Sequence, residues 1–300
     1  MKSIYTILSF VLFTCSLMAQ DKVIDLWPDG PPTDNGLSGP EIDEGNGRIS
    51  NISTAKLYVY SPDSEINTGA ALIMLTGGSY RREAMSHEGY EIAEWLKNKG
   101  ITGIVLKYRL PNGHPQIPLE DASRAIRYTR QHAKEWGINP NKIGIGGASA
   151  GGHPASNAGT LFDLGKANAQ DSTDTYSSRP DFILLLYPLI NIPLYWPKEF
   201  VERFYGKNID STIVKKYSSN LNVSAKTPPV FLVLADNDSY DVLPNQAIEF
   251  YQMLRKFKIS AELHVFNKGG HGFGITKHGL PVDQWPELFY DWLKAIKMVE

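Results

Sequence analysis

The fold of this chain is decided by the segment Ile143-Gly-Ile-Gly-Gly-Ala-Ser-Ala-Gly-Gly-His153, in which an apolar run ends in Gly147-Ala-Ser149-Ala-Gly151. In a G-x-S-x-G elbow the chain turns sharply from a strand into a helix, and the turn holds the serine hydroxyl clear of its neighbours. The flanking glycines let other backbone approach without a Cβ clash. The pattern therefore predicts a strand over 142–146, a helix after it, and Ser149 as a nucleophile. The alternative is a small residue in a tight turn.

A nucleophilic serine needs a base to take its proton and an acid to orient that base. After an apolar run over 230–235 the chain reads Asp236-Asn-Asp238-Ser-Tyr-Asp241, which puts carboxylates at the end of a predicted strand. We predict Asp238 as the orienting acid. Two rivals stay open, since Asp236 can terminate the strand and Asp241 can cap the helix that follows.

The predicted base is His271, in the glycine-flanked stretch Gly269-Gly-His-Gly-Phe-Gly274 after another predicted strand. The order serine, acid, histidine is that of a hydrolase built on a strand-turn-helix elbow. A surface loop histidine is the alternative. The remaining histidines, including His153 just after the elbow, have no spacing that predicts a metal site, and His153 is expected to pack under the elbow.

An oxyanion needs backbone N–H donors, and a turn at Thr76-Gly-Gly-Ser-Tyr80 after the apolar run 71–75 can supply them. We predict that the N–H of Gly78 or Ser79 pairs with that of Ala150. A plain Gly-Gly turn is the alternative. Candidate substrate-binding residues nearby in the predicted fold are Tyr80, His87 and Trp196.

Apolar strand-like runs alternate with amphipathic helical stripes along most of the chain, which predicts an α/β fold with a mostly parallel sheet covered on both faces. Residues 21–50 are rich in Gly, Pro and Asp and are interpreted as loop. No repeat or linker interrupts the pattern, so residues 21–300 are predicted to form one domain. The only large excursion between strands, residues 191–226, is interpreted as a cap or insertion beside the site.

The first twenty residues have the layout of a secretory signal peptide, with Lys2, an apolar run over 4–18 and Ala19 before polar residues. The run is short for a bilayer span. The single cysteine, Cys15, lies inside it, and Phe13 argues against a lipid-anchored cysteine. We therefore expect a secreted or periplasmic protein without disulfides.

The charge balance excludes some partners. Thirty Lys and Arg residues stand against 32 Asp and Glu residues, with no basic stripe for nucleic acid and no polybasic patch for lipid. The expected partner is instead an acylated carbohydrate or a small ester. The sequence does not predict an oligomeric state.

With these residues in view, the chain resembles the α/β-hydrolase superfamily and, more narrowly, secreted bacterial esterases related to acetylxylan esterases and feruloyl-esterase-type enzymes. The matching pieces are the turn 77–80, His87-Glu-Gly89, Lys107-Tyr-Arg-Leu-Pro111, the stretch 147–153, the Asp238 loop and the stretch 269–274. The resemblance implies an α/β-hydrolase fold, the triad Ser149, Asp238 and His271, and hydrolysis of acetyl or aromatic acyl esters without a metal or organic cofactor.

The chain departs from the family pattern at three positions: Thr76 stands where relatives often have Pro, Ser79 where a third Gly is common, and Leu234 where a His often precedes the acid. Three other functions compete. A lipase would need an apolar lid, but charged residues interleave the aromatics of residues 191–226. A peptidase of this fold usually carries a further gating domain. A non-catalytic glycan-binding protein would not need all three catalytic residue types.

Overall fold

The computed structural model describes residues 20–300, which form a large sheet flanked by helices and a small second sheet. The strands are β1 (Lys22–Asp25), β2 (Ile42–Asp43), β3 (Arg48–Ser50), β4 (Lys56–Tyr60), β5 (Ala71–Leu75), β6 (Arg82–Ala84), β7 (Thr102–Lys107), β8 (Ile143–Ala148), β9 (Ile183–Leu186), β10 (Val230–Ala235) and β11 (Ala261–Phe266). The helices are α1 (Glu91–Asn98), α2 (Ile117–Gln131), α3 (Gly152–Thr160), α4 (Lys198–Tyr205), α5 (Ser211–Lys216), α6 (Val242–Lys256) and α7 (Trp285–Ala295).

The large sheet has the strand order β1-β4-β7-β5-β8-β9-β10-β11. The pairs from β7 through β11 are parallel, and only β4 runs in the opposite direction, pairing antiparallel with both β7 and the edge strand β1. Parallel strands bring their carboxyl ends to one edge of the sheet, so the loops after β5, β8, β10 and β11 meet there. The prediction of a mostly parallel sheet with helices on both faces is confirmed, and this edge carries the candidate site.

The core lies on both faces of the sheet because side chains alternate along each buried strand. In β5, Ile73 and Leu75 face the layer formed by α2, α3 and α6, whereas Leu72 and Met74 face α1 and α7. Every residue of β5, β7, β8, β9 and β10 is buried. Strands that are covered on both faces form a rigid base for the loops at their ends.

The interpretation of residues 21–50 as loop was wrong in part. β1 pairs with β4 at the edge of the large sheet, and β2, β3 and β6 form a separate antiparallel sheet. These strands are short and largely exposed or half-buried, so they lack a hydrophobic period. Their pairing depends on partners distant in sequence, which local pattern does not reveal.

The excursion over 191–226 contains α4, α5 and a short 3₁₀ turn between β9 and β10. Val201, Phe204, Tyr205 and Tyr217 are buried in the same core cluster as α2 and α3. Phe204 packs against His153 of α3 with ring centroids 4.9 Å apart. The excursion therefore rests on the helix that follows the elbow.

The proposed signal peptide, residues 1–20, lies outside the described residues except for Gln20, as does Cys15. Within residues 20–300 no helix is long and apolar enough to cross a bilayer. The assignment of residues 21–300 to one domain with an insertion stays a prediction.

Candidate active site

Three side chains that are distant in sequence meet at the carboxyl edge of the sheet. Ser149 Oγ lies 2.8 Å from His271 Nε2, and His271 Nδ1 lies 2.8 Å from Asp238 Oδ2. Asp238 is 4% exposed, and the His271 side chain is 17% exposed. A carboxylate accepts from Nδ1–H, which leaves Nε2 unprotonated and able to take the proton of the hydroxyl. The arrangement can therefore deprotonate Ser149.

Ser149 sits in a sharp turn between β8 and the 3₁₀ turn Ser149–Gly151, with φ of 50°. A non-glycine residue in this region is strained, and such strain is typical of the elbow that exposes a nucleophile. A Cβ at Gly147 would lie 2.1 Å from the carbonyl oxygen of Gly151, and one at Gly151 would lie 2.3 Å from that of Leu75. The two glycines of the motif are thus required by backbone packing.

The acid loop distinguishes Asp238 from its two rivals. Asp238 is buried and its Oδ1 accepts the N–H of Tyr240 at 2.8 Å, which holds Oδ2 toward the histidine. Asp236 and Asp241 are exposed. Asp241 precedes α6 without making a side-chain capping bond.

Asn237 is a residue that sequence reasoning missed. Its Oδ1 accepts the N–H groups of Gly269 and Gly270, both at 3.0 Å, so it ties the acid loop to the histidine loop. The only sequence signal was its place between two aspartates. Because it bonds to backbone that any residue carries, no spacing rule predicts it.

The predicted oxyanion donors lie beside Ser149. Gly78, Ser79 and Ala150 line the same cavity as the serine, and within residues 20–300 the N–H groups of Gly78 and Ser79 donate to no backbone acceptor. Ala150 belongs to the first turn after the elbow, where N–H groups have no partner within the helix. Gly78 has φ of 133°, and a Cβ there would lie 2.1 Å from the carbonyl oxygen of Arg82. The turn thus has free donors at a position that only glycine can occupy.

A buried carboxylate, Glu88, braces this turn. Its Oε2 accepts the N–H of Gly77 at 2.6 Å and its Oε1 accepts the hydroxyl of Tyr187 at 3.0 Å. The same hydroxyl accepts the N–H of Gly274 at 3.1 Å, and the Tyr187 ring packs on His271 with centroids 5.0 Å apart. Burial raises the pKa of Tyr187 well above its usual value, so the phenol keeps its proton. Glu88 therefore links the oxyanion turn to the histidine loop.

We expect Glu88→Ala to lower kcat by about 10²-fold, because the Gly77 N–H loses its acceptor and the oxyanion donors lose their alignment. KM should change little, since Glu88 does not line the cavity. Glu88→Gln keeps one oxygen for Gly77 and should recover most of the loss. Initial-rate kinetics on an aryl acetate measures both constants, with Glu94→Ala on α1 as the control. Equal loss in the Ala and Gln variants would contradict the positioning role.

Beneath the elbow, His153 is fully buried and connects α3 to the excursion. Its Nε2 donates to the carbonyl oxygen of Tyr217 at 2.6 Å, so its Nδ1 accepts from the hydroxyl of Tyr80 at 2.7 Å. This matches the expectation that His153 packs under the elbow. Tyr80 is only 1% exposed and does not line the cavity of Ser149. It lines a neighbouring hollow of about 270 Å³ instead, and its role as a substrate-binding residue stays a prediction.

Burial lowers the pKa of His153 from its ordinary 6.5 to about 4. Between these values the unfolded chain binds the proton and the folded chain does not, so stability falls as pH decreases. We expect His153 to remove about 2 kcal/mol of unfolding free energy between pH 7 and pH 5. Denaturant titrations at both pH values measure this loss. His153→Gln, which cannot titrate, should lack this component; an identical pH dependence in that variant would contradict the assignment.

The cavity in front of Ser149 has a volume of about 590 Å³. Trp196 and Phe200 of the excursion line it with ring centroids 4.8 Å apart, and Leu189 and Tyr240 line it as well. Trp196 thus lies where the sequence predicted a substrate contact. His87 lies outside this lining, and its carbonyl oxygen packs against Gly274; its role as a substrate-binding residue stays a prediction.

Within residues 20–300 no group of three or more His, Cys, Asp or Glu side chains is arranged to hold a metal ion.

A parallel sheet of this order with a strained serine elbow after β8 defines the chain as an α/β-hydrolase, a fold class that includes carboxylic ester hydrolases. The profile of the family described as BD-FAE matches residues 57–254. The chain belongs to this family.

Known relatives agree with this assignment. An acetylxylan esterase of Xylanibacter ruminicola is 32% identical over 83% of this chain and 50% of its own length. An endo-1,4-beta-xylanase B of Butyrivibrio fibrisolvens is 31% identical over 85% of this chain and 42% of its own length. The chain thus spans about half or less of these curated relatives. The crystal structure of an acetyl ester-xyloside bifunctional hydrolase from Caldicellulosiruptor lactoaceticus superposes with a TM-score of 0.80 at 36% identity, covering 95% of this chain and 100% of that one.

Proposed function

We propose that this chain is a serine carboxylic ester hydrolase that removes acetyl or aromatic acyl groups from plant-type polysaccharides or oligosaccharides. The observation that carries the proposal is the continuous hydrogen-bonded series from Ser149 through His271 to Asp238, with both contacts at 2.8 Å. The polysaccharide substrate is supported by relatives named as an acetylxylan esterase and a xylanase.

In the proposed reaction, His271 Nε2 takes the proton of Ser149 as Oγ attacks the ester carbonyl carbon. The carbonyl oxygen becomes an oxyanion and accepts from the N–H of Ala150 and from that of Gly78 or Ser79. The ester bond breaks, and His271 gives its proton to the departing sugar hydroxyl. Water, deprotonated by the same imidazole, then releases the acid from the acylated serine. Asp238 stabilises the imidazolium in both halves.

The cavity supports a sugar substrate more than a long acyl chain. Its volume of about 590 Å³ accommodates an acyl group together with one or two sugar rings. Trp196 and Phe200 contribute aromatic rings to the lining, against which a sugar can pack. The helix α4, which carries Phe200, also carries Lys198 and Glu202, and these two residues form an ion pair. A helix with this charged surface is not the apolar lid that a lipase would need.

We also infer from the sequence that residues 1–20 direct export and that residues 21–300 form the working domain. The N-terminal mass of protein recovered from the medium or periplasm of an expressing cell tests this. A mature chain beginning near Gln20 supports export, and an intact Met1 in the cytoplasm contradicts it.

The function is tested by measuring products released from acetylated and feruloylated xylo-oligosaccharides by the purified protein. Release of acetate or ferulate, lost in Ser149→Ala, is the expected result. Faster turnover of long-chain acyl esters or of aminoacyl amides would instead identify a lipase or a peptidase. Binding of these oligosaccharides without any product would identify a glycan-binding protein.

A further inference from the structure

The wall of the cavity beside Ser149 is unusually cationic. Arg81, Arg82 and Arg203 all line it, and among residues 20–300 no Asp or Glu does so. Arg81 and Arg82 come from the segment after the oxyanion turn, and Arg203 comes from α4 of the excursion. Three arginines from two separate segments thus line the cavity that contains the nucleophile.

The carboxylates nearby do not neutralise all three groups. Glu44 Oε2 lies 2.6 Å from Arg82 Nη1 and 3.5 Å from Arg81 Nη2, so one carboxylate serves two guanidiniums. Arg203 Nη1 donates to the neutral carbonyl oxygen of Ser79 at 2.9 Å. Burial lowers the pKa of Arg203, and the positive charge of Arg81 lowers it further. The negative charge of Glu199 on α4 opposes this shift more weakly.

Arginines with a structural role in this protein are arranged differently. Arg109 is 1% exposed and bonds to the carboxylate of Asp121 through Nη2 at 2.7 Å. Arg130 likewise pairs with Asp181 at 3.1 Å. By contrast, within residues 20–300 no carboxylate oxygen lies within 4.0 Å of a guanidinium nitrogen of Arg203, so Arg203 forms no ion pair there. Most of the Arg203 donors are therefore available to a ligand.

Arg81 and Arg203 also line a second hollow of about 270 Å³. Its other lining residues include Asn51, Asn112 and Glu44, so it is more polar than the cavity of Ser149. The two guanidiniums therefore stand at the boundary between the two hollows. A substrate whose ester lies at Ser149 and which extends toward the second hollow passes both of them.

We propose that Arg81 and Arg203 form an anion-binding subsite that takes a carboxylate of the ester substrate. This inference rests on the proposed function and specifies that the ester substrate carries a carboxylate; where that carboxylate is on the acyl group, the substrate class extends beyond acetyl and aromatic acyl esters. The planar guanidinium matches a carboxylate with two parallel N–H···O bonds, and the half-buried position of Arg203 strengthens its bonds relative to bulk water, whereas Arg81 is exposed. The carboxylate belongs either to a uronic acid of the glycan or to the acyl group.

Binding is measured first, by calorimetry with Ser149→Ala protein. A xylo-oligosaccharide that bears one glucuronate is compared with its neutral counterpart. We expect the acidic ligand to bind about fivefold to tenfold more tightly, and the preference to shrink with added salt. To test a carboxylate on the acyl group, the unaltered enzyme is assayed on two nitrophenyl esters. The hemisuccinate carries a free carboxylate and the butyrate does not, and their kcat/KM values are compared.

In the same background, Arg81→Gln and Arg203→Gln should each remove most of the preference for the acidic ligand. Lys198→Gln on α4 is the matched control: it removes an equal charge from a side chain that is 81% exposed and outside the cavity. If Arg203→Gln does not fold, Arg81→Gln decides.

Equal affinity for acidic and neutral oligosaccharides together with equal kcat/KM on both nitrophenyl esters overturns the subsite. A preference that survives both arginine substitutions, or that Lys198→Gln abolishes equally, also overturns it. Preferential binding of the acidic oligosaccharide by a protein that hydrolyses no ester would retain the subsite and refute the esterase.

Discussion

Ser149→Ala is expected to lower kcat/KM on an aryl acetate by about 10⁴- to 10⁶-fold. The reason is that the covalent path disappears, whereas the oxyanion donors and the cavity are left in place. The residual rate should be close to that of the uncatalysed reaction accelerated by binding alone. Initial rates measured with enough enzyme to detect slow turnover check this result.

Two further measurements make the Ser149 result specific. A fluorophosphonate should label the unaltered protein stoichiometrically and should not label Ser149→Ala. The Tm of the variant should stay close to that of the parent, because only one partly buried hydroxyl is removed. Full labelling of Ser149→Ala would contradict the assignment of Ser149 as the nucleophile. Undiminished hydrolysis by this variant would contradict it as well.

Asp238→Asn is expected to lower kcat by about 10⁴-fold with little change in KM. In the parent, Oδ1 accepts the N–H of Tyr240 and Oδ2 faces His271 Nδ1. An asparagine must keep its oxygen toward the Tyr240 N–H, so its NH₂ group faces Nδ1 and makes that nitrogen an acceptor. The proton then sits on Nε2, which faces Ser149 Oγ and can no longer take a proton from it.

The matched controls for this prediction are Asp236→Asn and Asp241→Asn, which remove a carboxylate from exposed positions of the same loop. Both should keep the parental kcat. In pre-steady-state kinetics with excess substrate, a burst of the alcohol product would locate the defect of Asp238→Asn in deacylation, and the absence of a burst would locate it in acylation. If either control lost activity as strongly as Asp238→Asn did, the orienting acid would have to be reassigned.

Much of the fold was predictable because the central strands carry their own signal. The run 230–235 is buried on both faces and is apolar throughout, so its pattern and its bounds coincide with β10. β1 was not predictable in this way: it has one neighbour, β4, and three of its four residues are exposed. Pairing by backbone hydrogen bonds leaves little trace in side-chain pattern when neither face is covered.

The residues of the candidate site also differ in whether local sequence predicts them. Ser149, Asp238 and His271 each follow a strand and stand in a glycine-rich or acidic turn, which is a local signal. Glu88 has no such signal, because its partners, Gly77 and Tyr187, are brought to it by separate strands of the sheet. Tyr80 illustrates the limit of local signal: its place in the oxyanion turn predicted substrate binding, but its burial to 1% exposure and its packing 4.9 Å from Phe204 depend on the distant helix α4.

Local sequence was enough to specify the strand-helix alternation, the strained elbow and the chemical types of the three reactive groups. These depend on backbone conformation and on burial periodicity, which neighbouring residues encode. The folded chain alone established which carboxylate reaches His271, which aromatic rings face the cavity, and that arginines from two segments converge beside Ser149. Such arrangements depend on how distant segments pack in three dimensions, and a single chain carries no local record of its remote contacts.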